Sequence, residues 1–547
     1  MMKRIKKILS VIFCISIIAS VFSGCGSKDE LIDFIYPFNA DITSFDPQIA
    51  SKSDEFLIIE NCFEGLVRVR DDGTVMPGVA ESWSVSDDGL TYTFKLKQGV
   101  KWRIKEDSSI TELMGDDFNP DITASDFVFA LQRAVYSVTD APLFSSVANI
   151  VNATKIHNGK ANLNQLGVKA VDDYTLEIKL NNPDDAFINV LDSAIAMPCN
   201  EDFFNATKGR YGLGLGYIMF NGQFYVSSIL ESSYILKNNN MYTGSTPSAI
   251  SDITLRIINE DSDIPKNLKS GYYDSAYISG AEYNALNDDS ITVEPYTNKL
   301  WGFVLNKNKQ ILSNKKLRHA VCLSVSPSTV ENSTYLKSAT SITTPSCIID
   351  NKPSNEILNT VEKPDSQKAI KLWKEGLNEE RFTSANLTVI ASEDMADMAK
   401  QLVQGIQGSI GTITTYGDEN KISFSLKIDI LSQEDFNIAY SKGEYDIALK
   451  SFTSTSNSAS AFLKDIYSSG IFTSNNNIKY AIKNAEGTAS PNQAGSIKKA
   501  EKEMLNDYTL LPIVFESSYY AQAKGVSGVD FHAGSGKVCF VYATREK

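Results

Sequence analysis

Hydrophobic periods that switch between two and 3.6 residues predict an α/β or α+β fold for this chain. Leu90, Tyr92, Phe94 and Leu96 are apolar with Thr91, Thr93, Lys95 and Lys97 between them, so the segment reads as a half-buried strand entered by the turn Asp87-Asp88-Gly89. Phe127, Ala130, Leu131, Ala134 and Val135 recur at helical spacing. Thr123 is placed to cap that helix, and Asp126 suits its positive end. Near the other end of the chain, a helix over 498–508 leads into a strand over 510–515 through a short break at Pro512.

The strand device recurs at Tyr174, Leu176, Ile178 and Leu180, after Asp172-Asp173. Two stretches rich in turn formers, 341–364 and the Ser/Thr/Asn-rich 451–460, read as surface loops. With 547 residues, 42% apolar and 22% charged, the chain has globular composition and room for two to four domains of ~100–200 residues. Its net charge of −14 repels phosphate backbones, and no basic aromatic-rich patch offsets that, so nucleic acid is not an expected partner. The three histidines, His157, His319 and His532, lie far apart and show no zinc-ligand spacing, so no metal or other cofactor is expected.

Residues 1–24 read as a secretory signal: Lys3, Arg4, Lys6 and Lys7 precede a nearly continuous apolar run from Ile8 to Phe22. Ser23-Gly24-Cys25 resembles the end of a bacterial lipobox, with Phe22 where leucine or another aliphatic is usual. The resemblance implies cleavage before Cys25, acylation of its thiol and a polar tether over 25–30. Two or three acyl chains hold firmly where one is marginal. No other segment approaches a membrane span. Of the remaining cysteines, Cys62, Cys199, Cys322, Cys347 and Cys539 are scattered and odd in number, which favours buried thiols over a disulfide framework.

Several chemical motifs fail on inspection. Gly212, Gly214 and Gly216 fall short of a dinucleotide fingerprint because Tyr217 stands where the third glycine belongs, and no phosphate loop, HExxH or GxSxG elbow is present. The acidic pairs Asp71-Asp72, Asp116-Asp117, Asp184-Asp185 and Asp288-Asp289 are consecutive, so their side chains diverge and read as solvated turns. What is abundant is aromatic surface, with 24 Tyr, 27 Phe and 4 Trp, suited to a core and to a ligand cleft.

One ordered set of motifs goes further. Asn61-Cys-Phe-Glu-Gly-Leu-Val67 is followed by Asp72-Gly73, Pro77-Gly-Val-Ala-Glu-Ser-Trp83, Ser86-Asp-Asp-Gly-Leu-Thr-Tyr-Thr-Phe94, Gly99-Val-Lys-Trp102 and Thr123-Ala-Ser-Asp-Phe-Val128. In order and spacing this resembles the oligopeptide/dipeptide-binding proteins of ABC importers, the family 5 extracellular solute-binding proteins. Gly167 to Ile178, Asn221-Gly222 with Phe224, Leu305-Asn306 through Leu317-Arg-His-Ala320, and Ala500 to Leu505 into Leu511-Pro512 extend it over nearly the whole chain.

The resemblance implies an α/β, two-lobed, periplasmic-binding-protein-like fold of class II with an additional domain inserted in the first lobe. Lobe I is placed at 26–62, 195–295 and 516–547, the inserted domain at 63–194 and lobe II at 296–515. In relatives an extended peptide lies between the lobes, and its amino group meets an acid beyond a Tyr-Asp strand. By position, the implied contacts are Ser51 and Ser53 from lobe I, past the structural turn Asp46-Pro47, and Leu143 and Phe144 from the inserted domain. The strand Tyr445-Asp446-Ile-Ala-Leu449 is retained, but Phe452-Thr-Ser-Thr-Ser-Asn-Ser-Ala459 replaces a run that carries two acids and a proline in relatives. Phe452 keeps the aromatic, and Thr455 stands at the amine-binding acid. A hydroxyl cannot neutralise an ammonium, so the expected ligand is an N-blocked or internal peptide or a neutral oligomer.

The implied function is a monomeric, lipid-anchored receptor on the extracytoplasmic face of a Gram-positive-type cell membrane, delivering solute to an ABC permease and ATPase, with no enzymatic activity of its own. A sensory or adhesin-like lipoprotein on the same fold and an exported hydrolase are the alternatives. Cys25→Ser is expected to abolish lipidation and leave uncleaved precursor or released protein, read by membrane fractionation and intact mass; diacylated mature product from the variant rules out the lipobox.

Overall fold

The structure is a computed structural model that describes residues 32–546, apart from 105–113, 115–117, 185–186, 245–247, 260–261, 287, 332–333, 412–422, 473–474, 489 and 533–535. The signal, Cys25 and the tether lie outside the described residues, as do Asp116, Asp117 and Asp185. Among the described residues no helix is long and apolar enough to cross a membrane.

Three sheets organise the molecule. In the first, Ile32–Phe38 runs parallel to Ile250–Ile257, which is followed across the sheet by Ser233–Asn238 and Phe224–Leu230 in antiparallel pairing. The chain therefore leaves this sheet after its first strand and returns nearly two hundred residues later. The excursion holds the second sheet, Ala80–Val85, Thr91–Leu96, Thr175–Lys179 and Val168–Asp172 in that order. Both period-two segments are strands here: Tyr92, Phe94 and Leu96 point inward, and Tyr92 and Phe94 sit opposite Ile178 and Leu176. The helix Ala124–Val135 begins after Thr123, whose amide donates to Asp126 Oδ2 at 2.8 Å. First and second sheets share one continuous apolar core.

The third sheet runs Ser275–Ile278, Leu510–Gln522, Thr292–Leu305, Ile447–Thr453, Ser384–Ser392, Ser423–Leu431, with Leu336–Ser338 also on Leu510–Gln522. Two cores cover its faces, Trp301, Phe303 and Leu305 entering one while Leu300 and Val304 enter the other. This alternation is the pleat of a strand buried on both sides. The placed edges 295/296 and 515/516 fall inside Thr292–Leu305 and Leu510–Gln522. These two strands pair from Thr292 opposite Gln522 to Val304 opposite Leu510, with irregularities at Tyr296/Lys299 and Trp301/Gly302. Pro512 does not break the second of them. It lies within the strand beside the latter irregularity, where a missing N–H is tolerated.

The two segments read as surface loops are only partly on the surface: 351–353, 355–356 and 362–364 are exposed, while other stretches of both turn inward. Ser341, Ile342, Thr343, Thr344, Cys347 and Ser354 are fully buried, and so, nearly, is Ser454. Hydroxyls replace water there: Ser354 Oγ donates to Thr344 O at 2.7 Å and Ser341 Oγ to Thr343 O at 2.8 Å. Glu501, fully buried on the helix Gln493–Leu505, accepts the Thr343 amide and hydroxyl at 2.6 Å each and the Thr360 hydroxyl. Small polar residues thus mark a buried, self-satisfied connection, not an exposed one.

The remaining sequence features are structural. Asp46 forms a buried ion pair with Arg133, and Gly212, at φ +77°, leaves no room for a Cβ, which would lie 2.6 Å from the Asp46 amide. Cys62, Cys199, Cys322, Cys347 and Cys539 are all free thiols. Glu501→Ala strands the buried Thr343 amide and hydroxyl and the half-buried Thr360 hydroxyl, a buried donor costing ~1–3 kcal/mol when left unpaired. Denaturant melts are expected to show a loss of about 3 kcal/mol or more; a change within 0.5 kcal/mol rules out this anchor.

Candidate functional site

The site begins with the helix Ser53–Cys62. Ile58, Ile59 and Cys62 enter the core, while Leu57 and Glu60 reach the wall of a cavity of about 740 Å³. The loop before the helix is gathered by Glu55, whose carboxylate accepts the amides of Thr43, Ser44, Ser51 and Lys52 at 2.8–3.2 Å. Asn61 fixes the C-terminal segment against the same helix, donating to Val538 O at 3.0 Å and accepting the Phe540 amide at 2.8 Å. That register sets Lys537 opposite Glu60.

Lys537 Nζ lies 2.8 Å from Glu60 Oε2 and 2.5 Å from Asp192 Oδ2, all three nearly buried. Asp192 Oδ2 also accepts the Val69 amide at 2.8 Å. Burial opposes the Lys537 charge, but Asp192 and Glu60 outweigh it and hold its ammonium well above the usual range. Burial pushes the Glu60 carboxyl up to about 6 against the pull of Lys537, with the Asp192 charge adding to the rise. His532, on the same wall, is driven down to about 4 by burial and then by the charge of Lys537, so it is neutral at pH 7.

The opposite wall comes from the third-sheet unit, through Asn298 and Thr455-Ser456-Asn457. Thr455 Oγ1 donates to Ser51 O at 2.6 Å, Ser145 Oγ lies 3.1 Å from Ser458 Oγ, and Lys464 Nζ pairs with Asp140 at 2.8 Å. These contacts join 32–257 to 292–515 around the cavity.

Of the residues expected at the ligand, Ser53, Leu143 and Thr455 line the cavity, and Ser51 borders it through its carbonyl. Phe144 and Phe452 do not line it. Phe144 is buried and stacked on His157, ring centroids 3.9 Å apart, and Phe452 packs into a core of the third sheet. Both are apolar and adjacent to the wall in sequence, and the core claims them first. Thr455 leaves no acid at that position of the wall, but carboxylates line the cavity elsewhere. Asp54, Glu60, Asp71 and Asp192 line it, supplied by elements remote from the loop at Thr455. Glu60 carried a readable signal, a lone charge closing the apolar run Phe56-Leu-Ile-Ile; Asp192, Asn298, His532 and Lys537 carried none. Among the described residues no cluster of three or more His, Cys, Asp or Glu could hold a metal ion.

His532 fixes a pH dependence. Its folded value lies below its unfolded value of ~6.5, so its contribution is full above pH 6.5 and is lost as pH falls toward 4. Glu60 runs the other way between 6 and 4.5. His532→Gln is therefore expected to narrow the stability loss between pH 7 and 4 by roughly 3 kcal/mol, measured as urea midpoints across that range; parallel profiles for variant and parent contradict it.

The comparisons with known proteins agree with this architecture. The model of the bacterial extracellular solute-binding proteins, family 5 middle, matches residues 74–474. The oligopeptide-binding protein AmiA of Streptococcus pneumoniae is 28% identical over 283 residues, which are 50% of this chain and 42% of AmiA, so this chain spans less than half the length of that relative. The dipeptide-binding protein DppE of Bacillus subtilis is 22% identical over 504 residues, 90% of this chain and 88% of DppE. The substrate-binding domain of an oligopeptide ABC transporter from Bacillus anthracis superposes with a TM-score of 0.69 at 24% identity, covering 95% of this chain and 100% of that one. Members of this family are substrate-binding proteins, and the sheets described above have their two-lobed class II fold. The chain belongs to the bacterial extracellular solute-binding proteins of family 5.

Proposed function

We propose that this chain is the peptide-capturing receptor of an ABC importer, held by lipid on Cys25 to the extracytoplasmic face of the membrane and working as a monomer that delivers its ligand to a permease driven by an ATPase. The observation that carries the reading is the cavity itself. Its volume of about 740 Å³ falls among pockets that enclose a small ligand, and both lobes wall it. A ligand touching both walls favours the closed form by its differential affinity, and the closed form is what a permease can distinguish from the empty receptor. Relatives named for oligopeptide and dipeptide binding support peptides as the class. Asn298, Ser456 and Asn457 offer the amide and hydroxyl groups that an extended backbone needs.

Native mass spectrometry of freshly purified full chain is expected to show co-purified peptide. After stripping, a random peptide pool should raise the melting temperature, by linkage worth about 2.7 kcal/mol at a hundredfold excess over Kd, and compact the scattering curve. A stripped protein that neither melts higher nor compacts with any peptide pool rules the reading out.

A further inference from the structure

We infer that the peptide taken by this cavity carries a basic side chain, whose ammonium or guanidinium is held against Glu60 and Asp192. This rests on the peptide-receptor reading and adds the ligand's charge to it.

Among the described lining residues stand four carboxylates, Asp54, Glu60, Asp71 and Asp192, and two cations, Arg70 and Lys537. Both cations already have acids. Lys537 sits between Glu60 and Asp192, and Arg70 Nε lies 2.9 Å from Asp530 Oδ1 with its guanidinium over the Tyr542 ring. His532 adds no positive charge at neutral pH. An acidic group entering the cavity therefore meets carboxylates, while a basic group completes an alternation that Lys537 leaves half made: one ammonium stands between two nearly buried carboxylates, and the neighbouring Arg68 is offset by Glu64 at 3.5 Å, so the wall keeps a net negative charge. Such a charge is costly until it is paired. The raised carboxyl of Glu60 is the same cost seen in titration.

A second observation comes from the facing wall. Asn298 is 8% exposed and lines the cavity. Its Nδ2 donates to Ser454 O at 3.1 Å, while its Oδ1 accepts no hydrogen bond. A buried acceptor without a donor, across from carboxylates in excess, suits a ligand group that brings several N–H donors. Lysine and arginine side chains do so, and carboxylates and apolar side chains do not.

The test uses the full-length chain, stripped of ligand, with short peptide pools of Ala, Gly, Ser, Val and Leu. All pools are C-amidated, each carries one lysine, one norleucine or one glutamate at any position, and each is made both N-acetylated and with a free α-amine; the side-chain comparison uses the acetylated set. Calorimetry is expected to give the lysine pool at least a tenfold tighter Kd than the norleucine pool, with the glutamate pool weakest. Glu60→Gln should cut the lysine-to-norleucine ratio to about two. Its melting temperature without peptide should not fall, because Lys537 keeps Asp192 as partner; that check separates lost recognition from lost folding. Equal Kd values for the lysine and norleucine pools with the parent protein overturn the inference and leave the peptide receptor standing. Binding only by pools with a free α-amine, whatever the side chain, places the ammonium at the peptide's start and overturns it as well. Failure of every pool, free-amine pools included, overturns the peptide reading itself.

Discussion

Two antiparallel strands, Thr292–Leu305 and Leu510–Gln522, pass between the lobes and pair along almost their whole length. One end is held in the first core through Tyr296 and Tyr520; the other is held in the third-sheet cores through Leu300 and Phe515. The ladder is irregular between Tyr296 and Lys299, in the step from one core to the other. Bulges bend a strand pair locally without surrendering the pairing on either side. Glu516 secures the strand pair beside this step by accepting the Trp301 indole N–H at 2.5 Å and pairing with Lys299 at 3.3 Å. Tyr296, Asn298 and Ser518 from this link also line the cavity, so the cavity lies against the strands that join the lobes.

The charged wall follows from the same geometry. A lysine and two carboxylates meet there from a helix of the first lobe, the excursion after it and the C-terminal segment. Desolvating them is expensive, and replacing such a cluster with apolar side chains is often neutral or stabilising. A cluster retained on a cavity wall, with one carboxylate more than it needs, has its physical sense in what enters the cavity. Closure reinforces this, because excluding water strengthens each remaining electrostatic contact.

Burial of polar chain connections is the third constraint. The stretch 341–349 and the strand exit at Ser454 run through the interior between the large sheet and the helices beneath it. They do so because serine and threonine hydroxyls, together with one buried carboxylate at Glu501, satisfy backbone groups that no neighbouring strand can reach. The same composition that marks an exposed loop thus builds the inner support of the wall carrying Thr455, Ser456 and Asn457.

The sequence by itself determined the strands at Leu90–Leu96 and Tyr174–Leu180, the capped helix after Thr123, the buried free thiols and, through ordered motifs, the family. Each of these is written in spacings of a few residues, because pleat and helix impose local periods on burial. Only the tertiary structure decided which residues face the ligand. It seated Phe144 and Phe452 in cores, turned parts of two apparent surface loops inward, and brought Glu60, Asp192 and Lys537 together at one wall. Those three come from segments that the sheet order makes neighbours and the chain order keeps apart, and no local period records such a meeting. Charge in a cavity is a sum over whatever the fold assembles there, so Thr455 does not set it alone: carboxylates come to the wall from elements positioned by Asn61, the C-terminal strand and the joined lobes.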